Sequence, residues 1–144
     1  MALTKNKFFL LIILLVAIFL RLWQLEVIPP GLYPDEAMNA NDALNSLNLN
    51  DFKLFYSENN GREGLFMWLI ALSFSIFGTS IWSLKLVPAT IGILTVFGLY
   101  QLTKELFSRN KEYKTQAVNI ALLASFFLTI SSDVFSASKS TFTT

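Results

Sequence analysis

Apolar residues fall in four blocks along the 144-residue chain, and the length of each block decides what it predicts. The first, 8–25, is eighteen residues whose only charge is Arg21. As a helix it rises about 27 Å, close to the roughly 30 Å of a bilayer's hydrocarbon core, so it predicts a spanning helix. No small-x-small cleavage site follows it, which favours a retained anchor over a signal peptide. The run 65–77 is apolar all round but only thirteen residues long. A helix of that length covers about 20 Å, which predicts a re-entrant or interfacial segment. The run 81–102 is long enough for a second span, and a third is expected over 117–135, closed by Asp133 and a Ser/Thr-rich end.

Between the first two blocks the pattern changes. Pro29, Pro30 and Gly31 open a polar connection, and Pro34 leads into Asp35, which suits an N-cap. The helix expected after it, 36–48, places Ala37, Ala40, Ala43 or Leu44, and Leu47 on one side and reads as a short amphipathic helix lying along the membrane. Asn48, Asn50, Asp51, Asn59, Asn60 and Gly61 then predict irregular chain with turns. Within the second span, Pro88 predicts a tolerated kink, and the glycines at 92 and 98 predict close helix packing.

Charge orients these segments. Lys5 and Lys7 precede the first span without an acid, which puts the N-terminus in the cytoplasm, while Trp23 fits the aromatic belt on the far side and Arg21 can snorkel there. In the 26–80 loop the acids are Glu26, Asp35, Glu36, Asp42, Asp51, Glu58 and Glu63, against Lys53 and Arg62, a balance suited to the outer face. Were 65–77 to cross, Lys104, Arg109, Lys111 and Lys114 would end outside, against the charge rule. The 103–116 loop is therefore expected in the cytoplasm, with anionic lipid contact as a lesser role.

Composition narrows the chemistry. The chain is 53% hydrophobic with a net charge of +1, which argues for an integral membrane protein and gives no sign of nucleic-acid binding. It has neither Cys nor His, so disulfide, thiolate and ordinary zinc chemistry drop out.

Charged side chains stand out in the first external loop, with Lys85 near the start of the second span. Asp35 and Glu36 are adjacent carboxylates, and either a general base or a shared divalent cation would use such a pair. Arg62 can meet an anion bidentately and Lys85 as a point charge. Each also has a plain structural reading: Asp35 as a helix cap, Arg62 with Glu63 as a solvated ion pair, and Lys85 as an interface anchor.

In order along the chain stand Arg21-Leu22, Pro30-Gly31-Leu32-Tyr33-Pro34-Asp35-Glu36, Asn60-Gly61-Arg62-Glu63 ahead of Leu65-Phe66, and Phe77-Gly78 before Leu84-Lys85-Leu86-Val87-Pro88. This order and spacing resembles the bacterial dolichyl-phosphate-mannose-protein mannosyltransferase-like family. That family belongs to the C-type glycosyltransferases, which include the aminoarabinose transferases of lipid A. The resemblance runs to about Leu128, with the acidic pair its most specific element. Two positions depart from it: Gly64 stands where the family usually has Pro, and the Ser-Arg element expected after the third helix is missing, leaving Lys139 as a loose substitute.

The resemblance implies an all-α, polytopic membrane protein, the N-terminal part of a C-type glycosyltransferase bundle with interfacial helices in its first external loop. Family members are several times longer, so a fragment is expected, one inactive by itself. The implied activity is inverting transfer of a sugar from a polyprenyl-phosphate donor to a protein hydroxyl or a lipid acceptor, at the extracytoplasmic face of the cell membrane. Asp35 and Glu36 are the implied catalytic pair, and Arg62, Glu63 and Lys85 the implied substrate-binding residues; no metal ligands are assigned. The alternative is a small non-catalytic subunit that binds a polyprenyl lipid or partner helices.

Overall fold

The computed structural model describes residues 2–23, 25–27, 31–57, 61–109 and 112–140, with side chains from 5 to 131 within those ranges. Pro29, Pro30, Glu58, Asn59, Asn60 and Lys111 lie outside the described residues, as do the side chains of Asp133 and Lys139. The chain is mostly helical: α1 (Ala2–Leu22), α2 (Pro34–Leu49), α3 (Gly64–Phe77), α4 (Ile81–Arg109) and α5 (Ala117–Ser140). A two-stranded antiparallel pair, β1 (Phe55–Tyr56) and β2 (Arg62–Glu63), stands between α2 and α3.

The chain divides into two compact units. Met1–Trp23 and Ala89–Thr144 form one, and Gln24–Pro88 the other.

In the first unit α1 packs on α5. The packing uses small side chains: Ala17 of α1 is fully buried, as are Ala121, Ser125 and Thr129 at four-residue intervals on α5. Small residues let helix backbones approach closely. The hydroxyls of Ser125 and Thr129 donate to the carbonyls of Ala121 and Ser125, at 2.8 and 2.9 Å, so neither is buried unpaired. Gly92 makes room for a side chain: a Cβ there would sit 2.8 Å from Arg21 Nε. Gly98 has no neighbour within 4 Å, so its expected packing role does not occur among the described residues.

α4 persists to Arg109, seven residues past the expected end at 102, because Thr103 to Arg109 contain no helix breaker and Glu105 pairs with Arg109 at 3.0 Å one turn on. Much of the expected 103–116 loop is therefore helix. Among the described residues α4 alone is both long and apolar enough to cross a membrane; α3 and the apolar part of α5, Ala117–Ser131, are shorter.

The second unit is built on α2 against α3. Its core is Ala43, Tyr56, Met67, Ile70, Ala71, Phe74, Leu84 and Val87, with Ala40, Leu44 and Leu47 packed on it. The apolar side of α2 is thus covered by protein. α3 keeps a second apolar face outward, since Leu65, Leu69, Leu72 and Ile76 are all exposed.

Two local expectations are corrected here. The N-cap of α2 is Tyr33, not Asp35: Pro34 takes the first helical position, where its fixed φ and missing N–H cost nothing, and the Glu36 carboxylate accepts the Tyr33 N–H at 3.3 Å. The stretch expected to be irregular contains the β1–β2 pair. Gly64 fixes how it joins α3. Its N–H donates to Leu54 O at 2.8 Å, and a Cβ there would lie 2.1 Å from Lys53 O, so the segment before β1 crosses directly over the start of α3. The Trp68 indole N–H holds the same segment through Lys53 O at 3.0 Å.

Candidate functional site

Asp35, Asn39, Asp42 and Ser46 follow one another at intervals of four, three and four along α2, which places them on a single helix face. The strand pair lies against that face. Tyr56 and Arg62 are register partners, so their side chains leave the same side of the ladder. Arg62 reaches the N-terminal end of the stripe and Tyr56 reaches Ser46.

Arg62 is the centre of the N-terminal cluster. Its Nη2 lies 3.7 Å from Asp35 Oδ1, its Nη1 donates to the Asp35 carbonyl at 3.4 Å, and Nη1 also donates to Asn39 Oδ1. The two partners differ in exposure: the Asp35 side chain is 70% exposed and that of Arg62 26%. A carboxylate and a guanidinium are therefore held side by side at an accessible surface. Asn39, 8% exposed, is the buried member and satisfies a donor that Asp35 alone would leave underused.

The other expected site residues are placed differently. Glu36 faces back to the Tyr33 backbone and secures the turn into α2. Glu63 occupies the N-cap position of α3 and makes no ion pair among the described residues, so the solvated Arg62–Glu63 pair is not formed; Arg62 turns to Asp35 across 27 residues of chain. Lys85 is 7% exposed, not a solvent-reaching anchor, and its Nζ donates to Gly31 O at 3.3 Å. That bond ties α4 to the connection that leads into Asp35, where Gly31 adopts φ +80, a conformation that glycine enters without steric cost. Among the described residues no group of three or more Asp, Glu, His or Cys side chains could hold a metal ion.

At the other end of the stripe, Ser46 Oγ donates to Asp42 O at 2.8 Å and lies 2.5 Å from Tyr56 Oη. With the serine proton committed to the carbonyl, Tyr56 is the donor in the second bond. This buried chain fastens β1 to α2, just as Arg62 fastens β2. Asn39, Ser46 and Tyr56 escape sequence reasoning, although the spacing of 35, 39, 42 and 46 is a helical signal once α2 is granted. A cavity of about 280 Å³, lined by Phe55, Gly61, Arg62, Glu63, Phe66 and Met67, opens beside the guanidinium.

No curated protein and no solved structure matches the chain. The family model of dolichyl-phosphate-mannose-protein mannosyltransferases matches residues 65–143. The match takes in α3 from Leu65 on, Lys85 and the chain to 143, whereas Arg62 and Glu63 lie just before it and Asp35 and Glu36 well upstream. Since more than half of the sequence falls within the matched range, the chain belongs to the dolichyl-phosphate-mannose-protein mannosyltransferase family, a family of glycosyltransferases.

Proposed function

We propose that this chain contributes the acidic half of a membrane glycosyl-transfer site, at which a sugar leaves a polyprenyl-phosphate donor for a protein hydroxyl or a lipid acceptor. The observation that supports it best is the Asp35–Arg62 pair, a proton acceptor and a bidentate anion-binding group 3.7 Å apart at an accessible surface.

The chemistry needs both. A hydroxyl is a weak nucleophile at neutral pH until a carboxylate within hydrogen-bond reach takes its proton, and Asp35 has that role. Direct attack on the anomeric carbon inverts it, breaks the bond to the phosphate oxygen and leaves that phosphate with added negative charge. Arg62 meets this charge with parallel N–H donors, and the Phe66 and Met67 side of the adjoining cavity suits the first isoprene carbons of the lipid. Glu36 holds the turn that presents Asp35 and positions the acceptor hydroxyl; Glu63 stands at the cavity's rim. Lys85 supports the site by fixing Gly31, with the phosphate as a further partner during turnover.

The membrane arrangement belongs to the same proposal. α1 runs outward from a cytoplasmic N-terminus, α4 runs inward, α5 runs outward, and 26–80 lies at the extracytoplasmic face. A helix of 29 residues is about 43 Å long, so α4 outreaches the hydrocarbon and carries Lys104 and Arg109 beyond it. α3, 14 residues and about 21 Å, stays at the interface with its outward apolar face toward lipid.

The deciding experiment incubates membranes carrying the transfer-competent protein with labelled polyprenyl-phosphate sugars and mixed acceptors, comparing wild type with Asp35→Asn and Arg62→Ala. Transfer that survives both substitutions would remove these residues from the reaction.

A further inference from the structure

A second cavity, of about 170 Å³, lies beyond the Tyr56–Ser46 bond, and the transfer chemistry leaves it unused. Asp42, Asn45 and Ser46 wall it from α2, Asp51 from the turn that follows, and Phe55 and Tyr56 from β1. Lys53 closes one side with its ammonium 3.7 Å from Asp51.

The walls select a class of ligand. Two carboxylates stand against one ammonium that is already paired, so a phosphate would meet net negative charge. The walls are mostly polar, so a lipid tail would strand their hydrogen-bonding groups. Metal binding is disfavoured because no group of three or more suitable ligands occurs among the described residues. What does fit is a neutral ligand dense in hydroxyls. Carboxylates accept from hydroxyls, the Asn45 amide both donates and accepts, and the Tyr56 oxygen can accept another hydrogen bond after donating to Ser46. Phe55, 62% exposed, lines both cavities with its ring over Gly61, and its exposed side offers an apolar surface to the C–H face of a pyranose. Pockets for drug-sized ligands run to roughly 300–1,000 Å³, so a cavity of this size suits a single ring.

We propose that this cavity is a sugar subsite that holds one neutral pyranose of a glycosylated acceptor. The acceptor's ring is favoured over the donor's because the donor's would bring its phosphate among the carboxylates. Asp42 follows Asp35 by seven residues, about 10.5 Å along α2 and on the same face, so a ring seated here lies on the same side of the helix as the base. The use of the subsite in transfer rests on the function proposed above; the binding of a sugar does not.

The test titrates methyl α-mannopyranoside into the 144-residue chain in lipid nanodiscs and reads binding by saturation-transfer NMR, with near-UV circular dichroism as the check on folding. Saturable binding in the millimolar range is expected for so small a ligand. Asp42→Asn and Phe55→Ala should each weaken it by about tenfold, the cost of losing one charged acceptor or one stacking face. Glycoside binding that persists while Asp35→Asn abolishes transfer would separate this subsite from the reaction centre, as the proposal requires. No saturable binding, binding undiminished in both cavity variants, or stronger binding of tetramethylammonium than of the glycoside would overturn it.

Discussion

Tyr56 and Arg62 face each other across the β1–β2 ladder, yet their side chains seize α2 at Ser46 and Asn39, residues seven positions apart. A pair of two-residue strands would be marginal by itself. It persists because each strand spends one polar side chain on the same helix, Tyr56 at Ser46 and Arg62 at Asn39 and Asp35.

That arrangement makes the Tyr56–Ser46 bond measurable. Tyr56→Phe and Ser46→Ala should each destabilise the fold by about 1 kcal/mol, and the double variant should cost less than the sum of the two. Chemical denaturation in detergent, followed by near-UV circular dichroism, reads the effect. Additive losses would mean that the hydroxyls do not work as a pair.

Asp35→Asn tests the base. The start of α2 is secured by Tyr33, Pro34 and Glu36, so the substitution should leave the helix and membrane insertion intact. Turnover should fall by about 10²- to 10⁴-fold. Near-normal transfer would reduce Asp35 to the anchor of Arg62.

Gly64→Ala should be among the most damaging small substitutions in the second unit. The added methyl would meet the Lys53 carbonyl, a backbone atom with little freedom to retreat, and overpacking of this kind costs about 1–3 kcal/mol. A melting temperature equal to wild type would show that the segment before β1 can lift away.

The topology is checked by single cysteines, which the chain accommodates without a background because it has none of its own. A cysteine at Lys114 should resist a membrane-impermeant maleimide in intact cells, and one at Asp51 should react. Labelling at Lys114 would make α3 a true span.

The helices were largely legible because their signal is local: unbroken apolar runs with Gly78 or a polar turn between them. The site was legible only as a list. Asp35, Glu36, Arg62, Glu63 and Lys85 stand out by charge in an apolar chain, but their pairing depends on a ladder of two residues per strand, too short to carry a period. The obvious neighbour of Arg62, Glu63, proved to be the wrong partner because adjacent strand residues point to opposite faces. Asn39 was easily overlooked because an asparagine in a helix is ordinarily a solvent-facing residue, although its spacing from Asp35 and Asp42 puts it on their face. Tyr33 displaced Asp35 as the cap because Pro34 suits the first helical position, a preference that outweighed the side-chain chemistry of aspartate.

One consequence concerns how a substrate is received. β2 ends at Glu63 and α3 begins at Gly64, with no linker between them. Arg62 therefore sits on a rigid bracket whose far side is the helix itself, braced again where Gly64 is trapped beneath the Lys53 carbonyl. Under the proposed function, an incoming anion would meet a guanidinium already positioned by Asp35 and Asn39, so affinity would gain from that positioning and a phosphate presented at another height would find no matching donor.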